Sequence, residues 1–174
     1  MGLFSFPNPV NEVAARAVAA GVAGLCGLTL ALSLAAGRGW LWLTAVIAYG
    51  FLARVLTGPT LSPLGQLATR AVAPAIGRAK PVPGPPKRFA QGIGAVMSAA
   101  AVLAHFAGGF DGVAQVLIAA ILVAATLESA FAFCIGCRIF AVLMRLGIIP
   151  EQMCADCANV PAWLARLKGG TPVA

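Results

Sequence analysis

The sequence predicts an all-α integral membrane protein built as a four-helix bundle. Three observations carry this. Hydrophobic residues make up 60% of the 174 positions and glycine adds 20 residues, where soluble domains hold about 45–50% of that combined set. Charged residues are only 10%, against about 25% in ordinary domains. A chain this short has too much surface per volume to hide such a content from water, and disorder needs the opposite composition. The third observation is spacing: the few charges mark off four apolar runs, each close to the roughly 20 residues needed to cross about 30 Å of hydrocarbon.

The spans are expected at about 14–36, 40–57, 89–109 and 112–133. The first lies between Arg16 and Arg38. Its glycines Gly21, Gly24 and Gly27 suit close helix approach, and Cys26 within it reads as a small buried filler. The second runs into Arg54, whose stem is long enough to reach the boundary. The third lies between Arg88 and Asp111, and the fourth carries one charge, Glu128. The start Met1 to Pro9 lacks the basic region of a cleavable signal, so the first span is expected to remain in the mature chain.

Four spans place the N-terminus, the central loop and the tail on one side. That side receives every Lys and Arg except Arg38, which predicts both termini in the cytoplasm. The same asymmetry accounts for the net charge of +7 without nucleic acid: the basic residues are scattered among apolar segments near an anionic leaflet.

Between spans two and three, Ser62 and Pro63 read as N-cap and first residue of a helix. This helix, about 62–78, is expected at the inner membrane surface, kinked or ended by Pro74. The run Lys80 to Arg88, with four prolines, reads as an extended, semi-rigid connector. Beyond span four a cytoplasmic tail, about 138–174, includes a helical stretch closed by Gly147 and Pro150.

Ionisable residues inside spans are functional candidates by default. Glu128 stands about six residues before Cys134, hence about 9 Å from it along a helix. It is a candidate proton acceptor for the thiols, an ion-pair partner for Arg54, or a packing carboxyl. His105 is the sole histidine. It lies toward the opposite leaflet, so it cannot pair with Glu128, and a packing or interfacial role fits it best.

The chemistry is concentrated in four cysteines spaced C-x2-C-x16-C-x2-C: Cys134, Cys137, Cys154 and Cys157. That spacing suits a tetrathiolate zinc site, so zinc is a candidate cofactor, with an iron–sulfur cluster as a variant. The same residues suit a dithiol switch in which Cys134 and Cys137 form the redox pair. Structural disulfides are not expected in a reducing cytoplasm. If span four continues through Cys137, the negative helix end raises the thiol pKa values; if a new helix starts at Cys134, the positive end lowers them.

At these residues the chain resembles an uncharacterised family of bacterial integral membrane proteins, domain-of-unknown-function family 4395. The matching segments are Phe6-Pro-Asn-Pro-Val-Asn-Glu12, Gly58-Pro-Thr-Leu-Ser-Pro-Leu-Gly65, Pro83-Gly-Pro-Pro-Lys-Arg-Phe-Ala-Gln-Gly92 and Leu127-Glu-Ser-Ala-Phe-Ala-Phe-Cys-Ile-Gly-Cys137. The resemblance implies a bacterial cytoplasmic membrane location. Its genomic context implies thiol redox or sulfur handling, with a thioredoxin-like or sulfurtransferase partner, but carries no defined activity and no catalytic residues. The leading expectation is therefore thiol–disulfide redox or sulfur relay at the inner membrane surface. The alternatives are a structural zinc module and a component of a transporter for a small solute or sulfur species, which would need a homo-oligomer. Apart from the bilayer and such a protein partner, none is implied, and nucleic acid is not expected.

Overall fold

The computed structural model describes residues 8–76, 80–154 and 157. Four helices are long and apolar enough to cross a bilayer: α1 (Glu12–Ala35), α2 (Leu43–Thr57, extended at its start by the 3-10 turn Arg38–Trp42), α5 (Gly84–Phe106) and α6 (Asp111–Phe131). Between α2 and α5 lie two short helices, α3 (Pro63–Leu67) and α4 (Ala73–Ile76), and α7 (Ile135–Arg145) follows α6. One end of the bundle, here the basal end, holds the start of α1, the end of α2, the start of α5 and the end of α6.

α1 begins at Asn11, whose side chain accepts the Val13 N–H at 3.0 Å, satisfying one orphan amide of the first turn. Just before it, β1 (Val10–Asn11) pairs antiparallel with β2 (Pro81–Val82). Glu12 adds an ion pair to Lys80 at 2.8 Å. The chain start and the middle of the chain are thus tied together beneath the bundle.

α1 packs chiefly on α6, α2 on α5, and α5 also on α6. Small residues set the spacing. A Cβ on Gly94 would overlap the Phe51 ring, so α2 and α5 meet over a glycine. The core runs through Val18, Val22, Cys26, Ile47, Ile118 and Ile121, and Cys26 is a packing residue there, fully buried. The outer faces keep Val96, Leu103, Val116 and Val123 exposed, the apolar coat that a bilayer solvates. Trp40 and Trp42 are exposed at the end opposite the base, where amphipathic rings suit an interface.

The elbow is helical where expected. Ser62 caps it, accepting the Gly65 N–H at 3.2 Å, and Pro63 opens it. Pro74 does not end it. A π turn over Ala68–Val72, in which the Ala73 N–H reaches the Ala68 carbonyl, absorbs the proline, and the helix continues to Ile76. The segment leans on α1: a Cβ on Gly21 would lie 2.9 Å from Leu64. Gly21 is nine residues into α1, about 14 Å from its start. The elbow therefore fills the gap between α1 and α2 at the base.

The proline run differs from the expectation. Only Pro81–Val82 is extended, and α5 starts at Gly84, with prolines in its first turn. A first turn has no intrahelical use for the missing N–H, so proline is tolerated there. The third span is longer at its basal end than the charge boundaries implied.

Candidate functional site: a cysteine pair at the base of the bundle

α6 stops abruptly. Ala132 takes a left-handed conformation, φ 54°, an uncommon state for a residue with a side chain. The exposed carbonyls are met by Arg16 of α1, whose Nε donates to Ser129 O at 3.0 Å and whose guanidinium also reaches Ala130 O at 3.2 Å. A cation at a helix C-terminus meets both the orphan acceptors and the negative end of the dipole. Replacing Arg16 with methionine is expected to cost about 1–2 kcal/mol and to raise amide hydrogen exchange selectively across residues 127–133. Uniform exchange across the bundle would contradict that role.

After the break, Cys134 is extended and becomes the N-cap of α7. Cys137 falls in the first turn, one turn away. Of the two alternatives left open by the sequence, a new helix at Cys134 is the one that forms. α7 docks against α5 through Gly136, where a Cβ would come within 2.5 Å of the Ala90 Cβ and 2.6 Å of its Cα. An edge-to-face pair, Phe89 with Phe140 at 5.5 Å, completes the seam. The Arg138 guanidinium sits over the Phe133 ring at 5.4 Å. The segment Phe133-Cys-Ile-Gly-Cys-Arg138 is thus a corner: glycine for contact, cysteines at the helix start, and arginine folded back.

The corner sets the electrostatics. Cys134 is buried and Cys137 half-buried. The Cys137 thiol donates to the Cys134 sulfur, and that hydrogen bond holds Cys134 below the ordinary thiol range; the Lys87 ammonium helps, while burial and the Glu128 carboxylate oppose. For Cys137 the same bond, then burial, then the charge on Cys134 push its pKa up. The positive end of α7 acts with Lys87. The hydrogen bond therefore shifts the two thiols in opposite directions, Cys134 down and Cys137 up.

Glu128 is partnered by Lys87, Nζ to Oε1 at 2.5 Å, with both side chains largely buried. The expected alternative, a pair with Arg54, is corrected. Arg54 instead donates to Gln91 Oε1 at 2.9 Å and Ser62 Oγ at 3.2 Å, tying α2 to α5 and the elbow. The sequence alone places Lys87 in a connector, but in the structure it stands three residues into α5, as Glu128 stands three from the end of α6. Antiparallel neighbours place such positions side by side, but the match is visible only once α5 is known to start at Gly84. His105 is at the far end, with Nδ1 2.7 Å from Asp111 Oδ1, and Arg38 is 3.7 Å from the same carboxylate.

Two cavities meet at Cys134. A cleft of about 550 Å³ at the base is lined by Lys87, Cys134, Cys137, Arg138, Arg145 and Cys157, among others. Three of these residues are cationic, and Glu12 is the acidic residue on its wall. An apolar cavity of about 320 Å³ runs into the bundle between α1, α5, α6 and α7, with Gln91, Glu128 and Cys134 on its wall. Cys157 thus lines the same cleft as the first pair. It is joined to Cys154 as a disulfide, contrary to the expectation that no disulfide would form. In this state two of the four sulfurs are bound to each other. Among the described residues no group of three or more His, Cys, Asp or Glu side chains could hold a metal ion, so the tetrathiolate zinc arrangement is not formed. Ala155, Asp156 and the tail beyond Cys157 lie outside the described residues, as do residues 77–79 at the end of the expected elbow helix.

The family profile described as a domain of unknown function, DUF4395, matches residues 10–145. The chain belongs to the DUF4395 family. The match runs from the start of β1 to the last residue of α7. It includes Glu128, Cys134 and Cys137 and stops short of Cys154 and Cys157. The DUF4395 unit of this chain therefore contains the whole corner and the Lys87–Glu128 pair. No curated protein and no solved structure matches the chain.

Proposed function

We propose that this DUF4395 protein is a membrane thiol–disulfide exchange protein whose site faces the cytoplasm. The single observation that carries the reading is the placement of the first pair: Cys134 caps α7 and Cys137 stands in its first turn, with Lys87 lining the same cleft, the arrangement that makes one cysteine a nucleophile. The orientation is supported by the cations at the basal end, Arg16, Arg54, Arg70, Lys80 and Lys87 among them, against Arg38 at the other. The bilayer location is the bacterial cytoplasmic membrane.

Cys134 is the attacking thiolate, Cys137 the resolving thiol, and Cys154–Cys157 the internal disulfide. In the forward step the Cys134 thiolate attacks the Cys157 sulfur. A Cys134–Cys157 bond forms, the Cys154–Cys157 bond breaks, and Cys154 leaves as a thiolate that takes a proton. Cys137 then loses its proton and attacks Cys134, and Cys157 leaves. The first pair ends oxidised and the second reduced, with protons conserved. The exchange is reversible, so the dithiol of a soluble thioredoxin-like partner, passing its electron pair through Cys154 and Cys157, returns Cys134 and Cys137 to the dithiol as the partner's own disulfide forms. Glu128 and Lys87 hold the charge balance around Cys134.

The test is mixed-disulfide trapping in the purified full chain. Cys137→Ser removes the resolving thiol, so the Cys134–Cys157 crosslink should accumulate and be found by peptide mapping. In the unmodified protein, reduced under anaerobic conditions, iodoacetamide should label Cys134 first. Equal inertness of all cysteines, with no crosslink in the variant, would sink the proposal.

A further inference from the structure

The basal cleft explains how Cys134 meets a water-borne partner, but Cys134 also forms part of the wall of the apolar cavity inside the bundle. We propose that this cavity binds a lipid-soluble quinone, which accepts the electron pair of the Cys134–Cys137 dithiol. The inference rests on the thiol-exchange reading and names the membrane partner of the same site.

The cavity selects the class of ligand. Its walls are helix faces of the spanning bundle: Val18, Val22, Met97, Ile121, Ala124 and neighbours. Ala120 of the spanning helix α6 and Ile139 of α7 line it and are exposed, so the cavity is open at the side of the bundle and a ligand can arrive from the bilayer. At about 320 Å³ it is at the small end of ligand pockets, suited to one ring with its tail in lipid. A water-soluble or charged acceptor would lose its hydration there without a compensating partner. The polar groups on the wall are few and differ in role. Gln91 accepts from Arg54 through Oε1, leaving its amide N–H groups to donate to a ring carbonyl. Glu128 offers a carboxylate, and Cys134 a nucleophilic sulfur. A dithiol gives up two electrons and two protons; a quinone is the uncharged, membrane-soluble carrier that takes both.

The step balances. The Cys134 thiolate adds to a ring carbon, forming an S–C bond as a ring oxygen takes a proton. Cys137 loses its proton and attacks Cys134. The S–S bond forms, the S–C bond breaks, and its electron pair stays on the ring, whose second oxygen is protonated. The dithiol is oxidised to the disulfide and the quinone reduced to hydroquinone. One proton comes from Cys137 and the other is the one Cys134 released on becoming a thiolate; Glu128, which shares the cavity with Cys134, is placed to carry them to the ring.

The experiment uses the reduced full chain in lipid nanodiscs with decylubiquinone as the probe, following loss of the oxidised-quinone absorbance and of free thiols together. One quinone should be consumed for every two thiols lost, and Cys134→Ser should abolish the reaction. Ala124→Phe should fill the cavity, and separately Ala120→Phe should obstruct its opening; each should slow quinone reduction at least about tenfold, an effect of overpacking a ligand site. In both variants the rate of Cys134 alkylation and the reaction with a water-soluble disulfide should be unchanged. If quinone leaves the thiols intact while the soluble disulfide reacts, the quinone inference falls and thiol exchange stands. The inference also falls if quinone is reduced at the full rate in both cavity variants. If Cys134 reacts with neither, both readings fall.

Discussion

Replacing Gly136 with valine is expected to undock α7 and destroy the thiol asymmetry. Even a single added Cβ would sit 2.5 Å from the Ala90 Cβ and 2.6 Å from its Cα. Both neighbours are rigid parts of α5, so nothing at the end of a flexible side chain can give way. Overpacking of this kind costs about 1–3 kcal/mol, and the branched methyls of valine belong at the upper end. The cost falls on one seam, because α7 is held mainly by α5 through Gly136, Ala90 and the Phe89–Phe140 pair. The expected outcome is an intact four-helix bundle with a loosened corner: Cys134 and Cys137 alkylated at similar rates, and hydrogen exchange raised over 135–145. Gly24→Ala is the control, since a Cβ there meets nothing within 4 Å. Retained preference for Cys134 in Gly136→Val would show that α7 docking does not create the site.

The second large effect is expected at the Lys87–Glu128 pair, where two substitutions should move Cys134 in opposite directions. Lys87→Met removes the cation that favours the Cys134 thiolate and leaves the carboxylate that opposes it. The thiol pKa rises, the thiolate fraction at neutral pH falls, and alkylation slows several-fold. Glu128→Gln removes the opposing charge and frees the Lys87 ammonium, so the pKa falls further and alkylation accelerates under acidic conditions. The pH–rate profile of Cys134 should thus shift toward alkaline pH in the first variant and toward acid in the second. Lys87→Met also strands a largely buried carboxylate, at a cost of about 3 kcal/mol, visible in denaturant unfolding. Shifts in the same direction for both variants would show that the pair does not set the thiol.

The corner also explains why a motif with little periodicity carries so much of the chain's character. An unbroken α6 would leave Cys134 near a negative helix end, where the thiolate is disfavoured. Breaking the helix at Ala132 and restarting it two residues later reverses the sign of the local field. Arg16, more than a hundred residues away in the chain, makes the break tolerable by holding the stranded carbonyls.

The amino-acid sequence alone determined the membrane class, the four spans and the capped elbow at Ser62–Pro63. These follow from composition, charge spacing and local capping chemistry, which need only a few neighbouring residues. It also singled out the cysteine pairs and Glu128, because ionisable and thiol groups stand out in an apolar chain. The tertiary structure decided the partners. Lys87 rather than Arg54 meets Glu128, α6 breaks before Cys134, Cys157 comes to the same cleft as the first pair, and His105 finds Asp111. Each depends on the depth and rotation of packed helices, quantities set by contacts such as Gly94 with Phe51 and Gly136 with Ala90. Periodicity marks which face of a helix is buried, but not the height at which it meets its neighbour.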